Sequence, residues 1–166
     1  MVAFVIAPDD PESTDVRALL DAHLAFAKWE SPPEDVHALE VDELLGENVS
    51  FFTIRENGAL VGVGALKHLD DLHVEIKSMH TAAAARRRGV GRAMVDHLVG
   101  IARARGYRRV SIETGSTPVF APARALYASA GFEPCGPFGD YQLSPNSAYM
   151  TLELDHAPQP AETNAL

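Results

Sequence analysis

Arg86-Arg87-Arg88-Gly89-Val90-Gly91-Arg92 decides how this chain is read. The segment follows a strand-like run at 72–81 and opens a helix-like run at Val90. It sets two glycines and four guanidinium groups where a strand hands over to a helix. A helix start leaves backbone N–H groups unpaired and carries the positive end of the helix dipole. Glycines let an anion approach that backbone closely. The whole chain carries a net charge of −9, so the basic knot stands against an acidic background. The first inference is a polyphosphate-binding turn.

Elements can be read outward from this turn. Downstream, Val90, Met94, Val95, Leu98, Ile101 and Ala102 form one apolar helical face that ends at Gly106. A strand follows at 109–114, a short helix at 122–130 stopped by Gly131, a strand at 132–135, a Gly/Pro-rich loop at 136–146 and a last alternating strand at 147–154. Upstream, 49–55 and 60–69 read as strands joined by Glu56-Asn57-Gly58, a hairpin turn in which Asn-Gly supplies positive φ. Before them lie a short strand at 3–6, a helix at 14–30 broken by Ser31-Pro32-Pro33, and a second helix at 36–45. The order βααβββαβαββ predicts an α/β fold: a mixed sheet with helices on both faces. Residues 1–155 show no repeat or linker and read as one domain. Residues 156–166 have little to bury and read as a flexible C-terminal tail.

Composition narrows the function. The acidic total speaks against a nucleic-acid partner, which calls for a basic face, and suits a cationic or amine-bearing substrate. Cys135 is the one cysteine, so no internal disulfide or cysteine-based metal cluster is expected, and the default compartment is the cytoplasm. No signal peptide is expected at the start, and no apolar run reaches the roughly 20 residues that span a bilayer. His73, His80 and His97 are scattered without ligand spacing, so no metal is expected. Gly89-x-Gly91 alone is weak: a dinucleotide fingerprint needs a third glycine where Met94 stands, and a Walker loop needs Gly-Lys-Ser/Thr.

The wider context is more specific. Glu75-Ile76-Lys77-Ser78-Met79-His80-Thr81, then Arg86-x-x-Gly89-x-Gly91, then Gly106-Tyr107-Arg108-Arg109-Val110-Ser111-Ile112, then Ala123-x-x-Leu126-Tyr127-x-x-x-Gly131-Phe132 resembles the GNAT (Gcn5-related) N-acetyltransferase superfamily. Segments 31–34 and 113–115 resemble the small bacterial members of the YsnE type. The resemblance implies a mostly antiparallel sheet whose central parallel strands splay apart. It implies acetyl-CoA, or another acyl-CoA, as co-substrate, a primary amine of a small molecule or peptide as acceptor, and a homodimer. Amides from Arg87, Arg88, Gly89, Val90, Gly91 and Arg92 would hold the pyrophosphate, with Arg86 at the motif's first position. Met79, His80 and Thr81 match the strand end that pairs with the pantetheine arm.

Tyr127 matches the family's tyrosine near the thiol, where a phenol of pKa near 10 can return a proton to the leaving thiolate. The residue can equally serve the core. Glu75 stands eleven residues before Arg86, where some members place their general base. Strand alternation puts Glu75, Lys77, Met79 and Thr81 on one face, with His80 opposite as packing. Glu75 as a structural carboxylate, with a water relay or another base, stays open beside this; Glu113 on the neighbouring strand is the second candidate. One departure concerns Phe120, which occupies the place of an asparagine that contacts the arm in many members, so that contact is expected to move to Ser116 or Thr117. His37 is a candidate for the acceptor wall, Trp29 for core or wall, and Cys135 lacks a partner for nucleophilic work. The function expected is direct acetyl transfer to an amine in a ternary complex. A CoA-binding sensor without turnover is the alternative. An RNA binder using the arginines is a weaker rival against the acidic total.

Overall fold

The computed structural model describes residues 3–154; the tail expected at 156–166 lies outside them. Seven strands form one sheet in the order β1-β2-β3-β4-β5-β7-β6. The strands are β1 (Phe4–Pro8), β2 (Val49–Glu56), β3 (Ala59–Asp70), β4 (His73–Thr81), β5 (Arg109–Gly115), β6 (Glu133–Cys135) and β7 (Ser147–Glu153). The helices are α1 (Thr14–Glu30), α2 (Val41–Leu44), α3 (Val90–Ala104) and α4 (Ala121–Ser129). Every strand pair is antiparallel except β4 with β5. The α/β mixed sheet expected from the sequence is therefore present.

Alternation along β2 sends neighbouring phenylalanines to opposite sides. Phe52 and Ile54 join Leu66, Val74, Ile76, Val90, Met94 and Leu98 in a core beneath α3. Phe51 joins Val63, Ala65, Val16, Leu20 and Leu44 in a second core beneath α1 and α2. The two helical layers thus cover opposite faces. The apolar face of α3 read from the sequence is the one buried, with Val95, Leu98 and Ala102 fully enclosed. The hairpin turn takes the expected left-handed form at Asn57 (φ 51°) and Gly58 (φ 83°).

Two expectations need correction. The helix expected at 36–45 is much shorter. Pro33–Asp35 form a single 3₁₀ turn, Val36 is extended, and α2 begins only at Val41. A reciprocal capping box between Glu40 and Glu43 fixes that start. The second correction concerns β4. Val63 pairs with His80 and Ala65 with Lys77, so Ser78 and Met79 together oppose Gly64. This is a bulge, and Ser78 takes φ 56° within it. Alternation breaks there. Glu75, Lys77 and His80 lie on the α1 face, and Met79 on the α3 face. A Cβ on Gly64 would stand 2.9 Å from Met79 Sδ and 2.8 Å from Met94 Cγ, so glycine is what lets Met79 lie against α3.

Candidate active site

The parallel ladder between β4 and β5 is three residues long: His73 with Arg109, Val74 with Val110, Glu75 with Ser111. Beyond it β5 stays paired to β7 through Gly115, and β4 stays paired to β3 through Thr81. The two strands therefore part while each remains anchored on its outer side. The bulge at Ser78 and Met79 sits on the parting stretch and turns β4 aside. Two hollows meet in the gap.

The larger is a groove of about 610 Å³ running from Met79, His80 and Thr81 past the arginine turn to α4. The turn has the form read from the sequence. Arg87 (φ 64°) and Gly89 (φ 82°) are left-handed, while Arg86 (φ −64°) is not. Successive left- and right-handed residues curl backbone N–H groups into a concavity suited to anions. Among the described residues, no amide from Arg87 to Arg92 donates to a backbone carbonyl until Ala93 bonds Gly89. These unpaired donors, at the positive end of a 15-residue helix, fit a diphosphate. Gly91 faces Leu126 of α4, and a Cβ there would lie 3.0 Å from Leu126 Cδ2.

The four guanidinium groups divide their work. Arg88 clasps Glu56 at 2.7 and 2.6 Å and does not line the groove. Arg92 bonds Asp96 at 2.9 Å and the Ser129 carbonyl at 3.1 Å. Arg86 and Arg87 line the groove, and no ion pair engages either among the described residues.

The smaller hollow, about 180 Å³, lies between α1, the 31–38 segment and the parted strands. Tyr127 borders both hollows and stands at their junction. It is 3% exposed, and its ring meets Phe132 edge-on at 5.7 Å. Burial pushes its phenol well above the usual range, so it stays protonated across physiological pH. No hydrogen bond engages its hydroxyl among the described residues.

Glu113 borders the small hollow, and burial raises its carboxyl to about 7, against the opposing pull of the Lys77 charge. Glu75 stands one strand away, 2% exposed. Its Oε2 accepts the Tyr141 hydroxyl and lies 3.4 Å from Lys77 Nζ. Lys77 in turn donates to the Tyr141 oxygen at 2.7 Å and to the His37 carbonyl at 2.8 Å. The pairing of Glu75 and Lys77 on one face follows from their spacing. Tyr141, from the 136–146 loop, had no signal in the sequence beyond its residue type.

His80 lies on the α1 face and borders both hollows rather than serving only as packing, because the bulge carries it there. Its Nδ1 is 3.2 Å from His23 Nδ1, one ring donating to the other. Burial lowers both imidazoles, His23 to about 4. His37 lines the small hollow as expected, edge-on to Tyr141 at 4.8 Å. Trp29, by contrast, is 87% exposed and belongs to neither core nor wall. Phe120 packs on Phe26 at 5.5 Å and lies so close over Gly115 that a Cβ there would meet its ring at 2.0 Å. Ser116 is committed to the Pro145 carbonyl at 2.6 Å, while the Thr117 hydroxyl is buried without a partner. Among the described residues there is no group of three or more potential metal ligands, and no helix is long and apolar enough to cross a membrane.

Comparison with known proteins gives concordant matches. The profile of the Acetyltransferase (GNAT) family matches residues 16–132. YsnE of Bacillus subtilis, an uncharacterized N-acetyltransferase, is 46% identical over 146 residues, covering 88% of this chain and 97% of that protein. YedL of Escherichia coli, also an uncharacterized N-acetyltransferase, is 42% identical over 151 residues, covering 91% and 95%. Among solved structures, a GNAT family acetyltransferase from Elizabethkingia anophelis with acetyl-CoA bound superimposes with a TM-score of 0.65 at 20% identity, covering 91% of this chain and 98% of that one.

Proposed function

This chain belongs to the GNAT acetyltransferase family, and from that premise we propose that residues 1–155 act as one domain that moves the acetyl group of acetyl-CoA to a primary amine by direct attack. The parting of β4 from β5 beyond Glu75 and Ser111 carries this reading. It supplies one continuous passage, with a ring of unpaired amides at one end, a carboxylate of raised pKa at the other, and a buried phenol between. The solved relative named above has acetyl-CoA bound, which supports the same ligand here. The single cysteine, Cys135, supports a cytoplasmic setting.

The amides of Arg87 to Arg92 would hold the diphosphate, with Arg86 and Arg87 adding charge. The Met79, His80 and Thr81 stretch would lie along the pantetheine arm, its main chain freed by the parting. With Phe120 in place of an amide side chain, neither Ser116, bonded to the Pro145 carbonyl, nor Thr117, its hydroxyl buried, borders the groove, so that side-chain contact to the arm would be lost. The amine must lose its proton to attack. Glu113 is best placed to take it, since a base works best with a pKa near the working pH. Glu75 then acts one step back, holding Lys77 in the acceptor wall with Tyr141 behind it. As the new C–N bond forms, the carbonyl oxygen gains charge, and a main-chain N–H at the Ser78–Met79 bulge would stabilise it by roughly 3 kcal/mol. The C–S bond then breaks, and Tyr127 gives its proton to the thiolate. Cys135, the one cysteine, borders neither hollow, which favours direct transfer over a covalent thioester intermediate.

Thiol release from acetyl-CoA, measured with a panel of primary amines, tests the proposal. Amine-dependent release above hydrolysis is expected. Tight CoA binding with no release across a broad panel would leave a CoA sensor as the better reading.

A further inference from the structure

Resting on the transferase reading, we propose that the acceptor is a compact amine with no carboxylate beside its nitrogen. The argument starts from the charges that border the small hollow. Among the described residues, Lys77 is its one ammonium or guanidinium group. An ammonium has three protons to give. The Tyr141 oxygen, the His37 carbonyl and Glu75 Oε2 stand at 2.7, 2.8 and 3.4 Å from Lys77 Nζ. Lys77 is 8% exposed and Glu75 2%, so the ammonium is held in a buried pair, and its pull on Glu113 is opposed by the charges of Glu75 and Asp35.

The imidazoles do not supply another positive charge. Burial lowers His23, His37 and His80 alike, and His23 and His80 are bonded to each other. What remains is acidic. Glu113 borders the hollow, and so does Asp35, whose Oδ2 accepts the Asn146 amide at 3.0 Å. Asp35 lies near enough for its charge to help raise Glu113. Phe26, Phe120 and Tyr127 complete the wall with ring faces and edges that tolerate a cation and give a carboxylate nothing.

A carboxylate brought into this space would find Lys77 already paired to Glu75 and would face Glu113 and Asp35, which is costly. An ammonium entering it would meet Asp35 and Glu113 and lose its proton to the latter. The volume of about 180 Å³ also confines the acceptor to a small body on the nitrogen side.

Matched pairs of probes test this: ethanolamine against serine, tyramine against tyrosine, histamine against histidine. Each pair shares its skeleton and differs by one carboxylate. Thiol release from acetyl-CoA and calorimetric titration of the CoA-loaded protein are both measured. The amine is expected to exceed its amino acid by roughly ten-fold or more, in kcat/KM or in affinity, in at least one pair. Tyr141→Phe keeps the edge-on ring contact with His37 while removing one acceptor from Lys77, so the carboxylated partner should gain ground in that variant. Equal or better performance by the amino acids, or no binding by any probe, overturns the inference. Binding with the expected preference but no thiol release would instead overturn the transferase reading and leave this one standing.

Discussion

Glu75 faces Ser111 on the last rung that joins the two parallel strands. The same carboxylate balances the buried charge of Lys77 at 3.4 Å. Replacing Glu75 with alanine leaves that ammonium enclosed with no counter-ion, a loss of about 3 kcal/mol. Glu75→Gln keeps an acceptor for the Tyr141 hydroxyl and should lose less. Urea unfolding at pH 7 measures both. If Glu75 itself takes the substrate proton, Glu75→Gln will also erase turnover; a remaining activity above about a tenth assigns it to the wall.

Glu113 predicts two opposite pH responses. Its carboxyl is raised to about 7 in the folded chain against an ordinary 4.5. The folded state therefore binds more protons than the unfolded one between these values. Its contribution is favourable at low pH, and stability falls as pH rises from 4.5 to 7, by at most about 3 kcal/mol. Glu113→Gln should then raise Tm at pH 8 and leave it nearly unchanged at pH 4. Activity moves the other way, because the base works only when ionised. The wild-type kcat/KM should climb through an apparent pKa near 7, and the glutamine variant should lose that limb.

Tyr127→Phe removes a proton donor and leaves the ring. Turnover should fall by roughly tens-fold, with CoA affinity by calorimetry nearly unchanged. Because no protein hydrogen bond holds the hydroxyl, Tm should barely move. Unchanged turnover would place Tyr127 in the core alone.

Gly89 is left-handed at φ 82°, and a Cβ there meets nothing within 4 Å. Gly89→Ala should therefore cost about 1 kcal/mol of backbone strain and weaken CoA binding modestly. Gly89→Asp adds a negative charge against phosphate and should abolish detectable binding. Retained affinity in the aspartate variant would remove the turn from the site.

Much of this architecture was readable because local rules were strong where they mattered. The apolar period from Val90 to Ala102, the Asn57-Gly58 turn and the arginine turn each have a short-range cause. Misreadings cluster where the cause is tertiary. Ser78 takes a left-handed conformation that nothing in its own identity announces, and this one residue sends His80 to the α1 face and Met79 to the core. Tyr141 sits in a loop without period, brought to Glu75 only by the folded path of 136–146. The 36–45 segment carried a helical pattern, but its first half runs extended past the small hollow, where Val36, His37 and Ala38 form part of the wall.

Three rungs are all that stitch one half of the sheet to the other, and from this follows a division of labour in recognition. A donor lying in the seam would be read by peptide groups, which point substitution leaves in place. The acceptor would be read by side chains such as Phe26, His37 and Glu113, which mutation alters freely. On the proposed function, such a scaffold would trade one amine for another by editing a few positions while keeping its hold on the thioester.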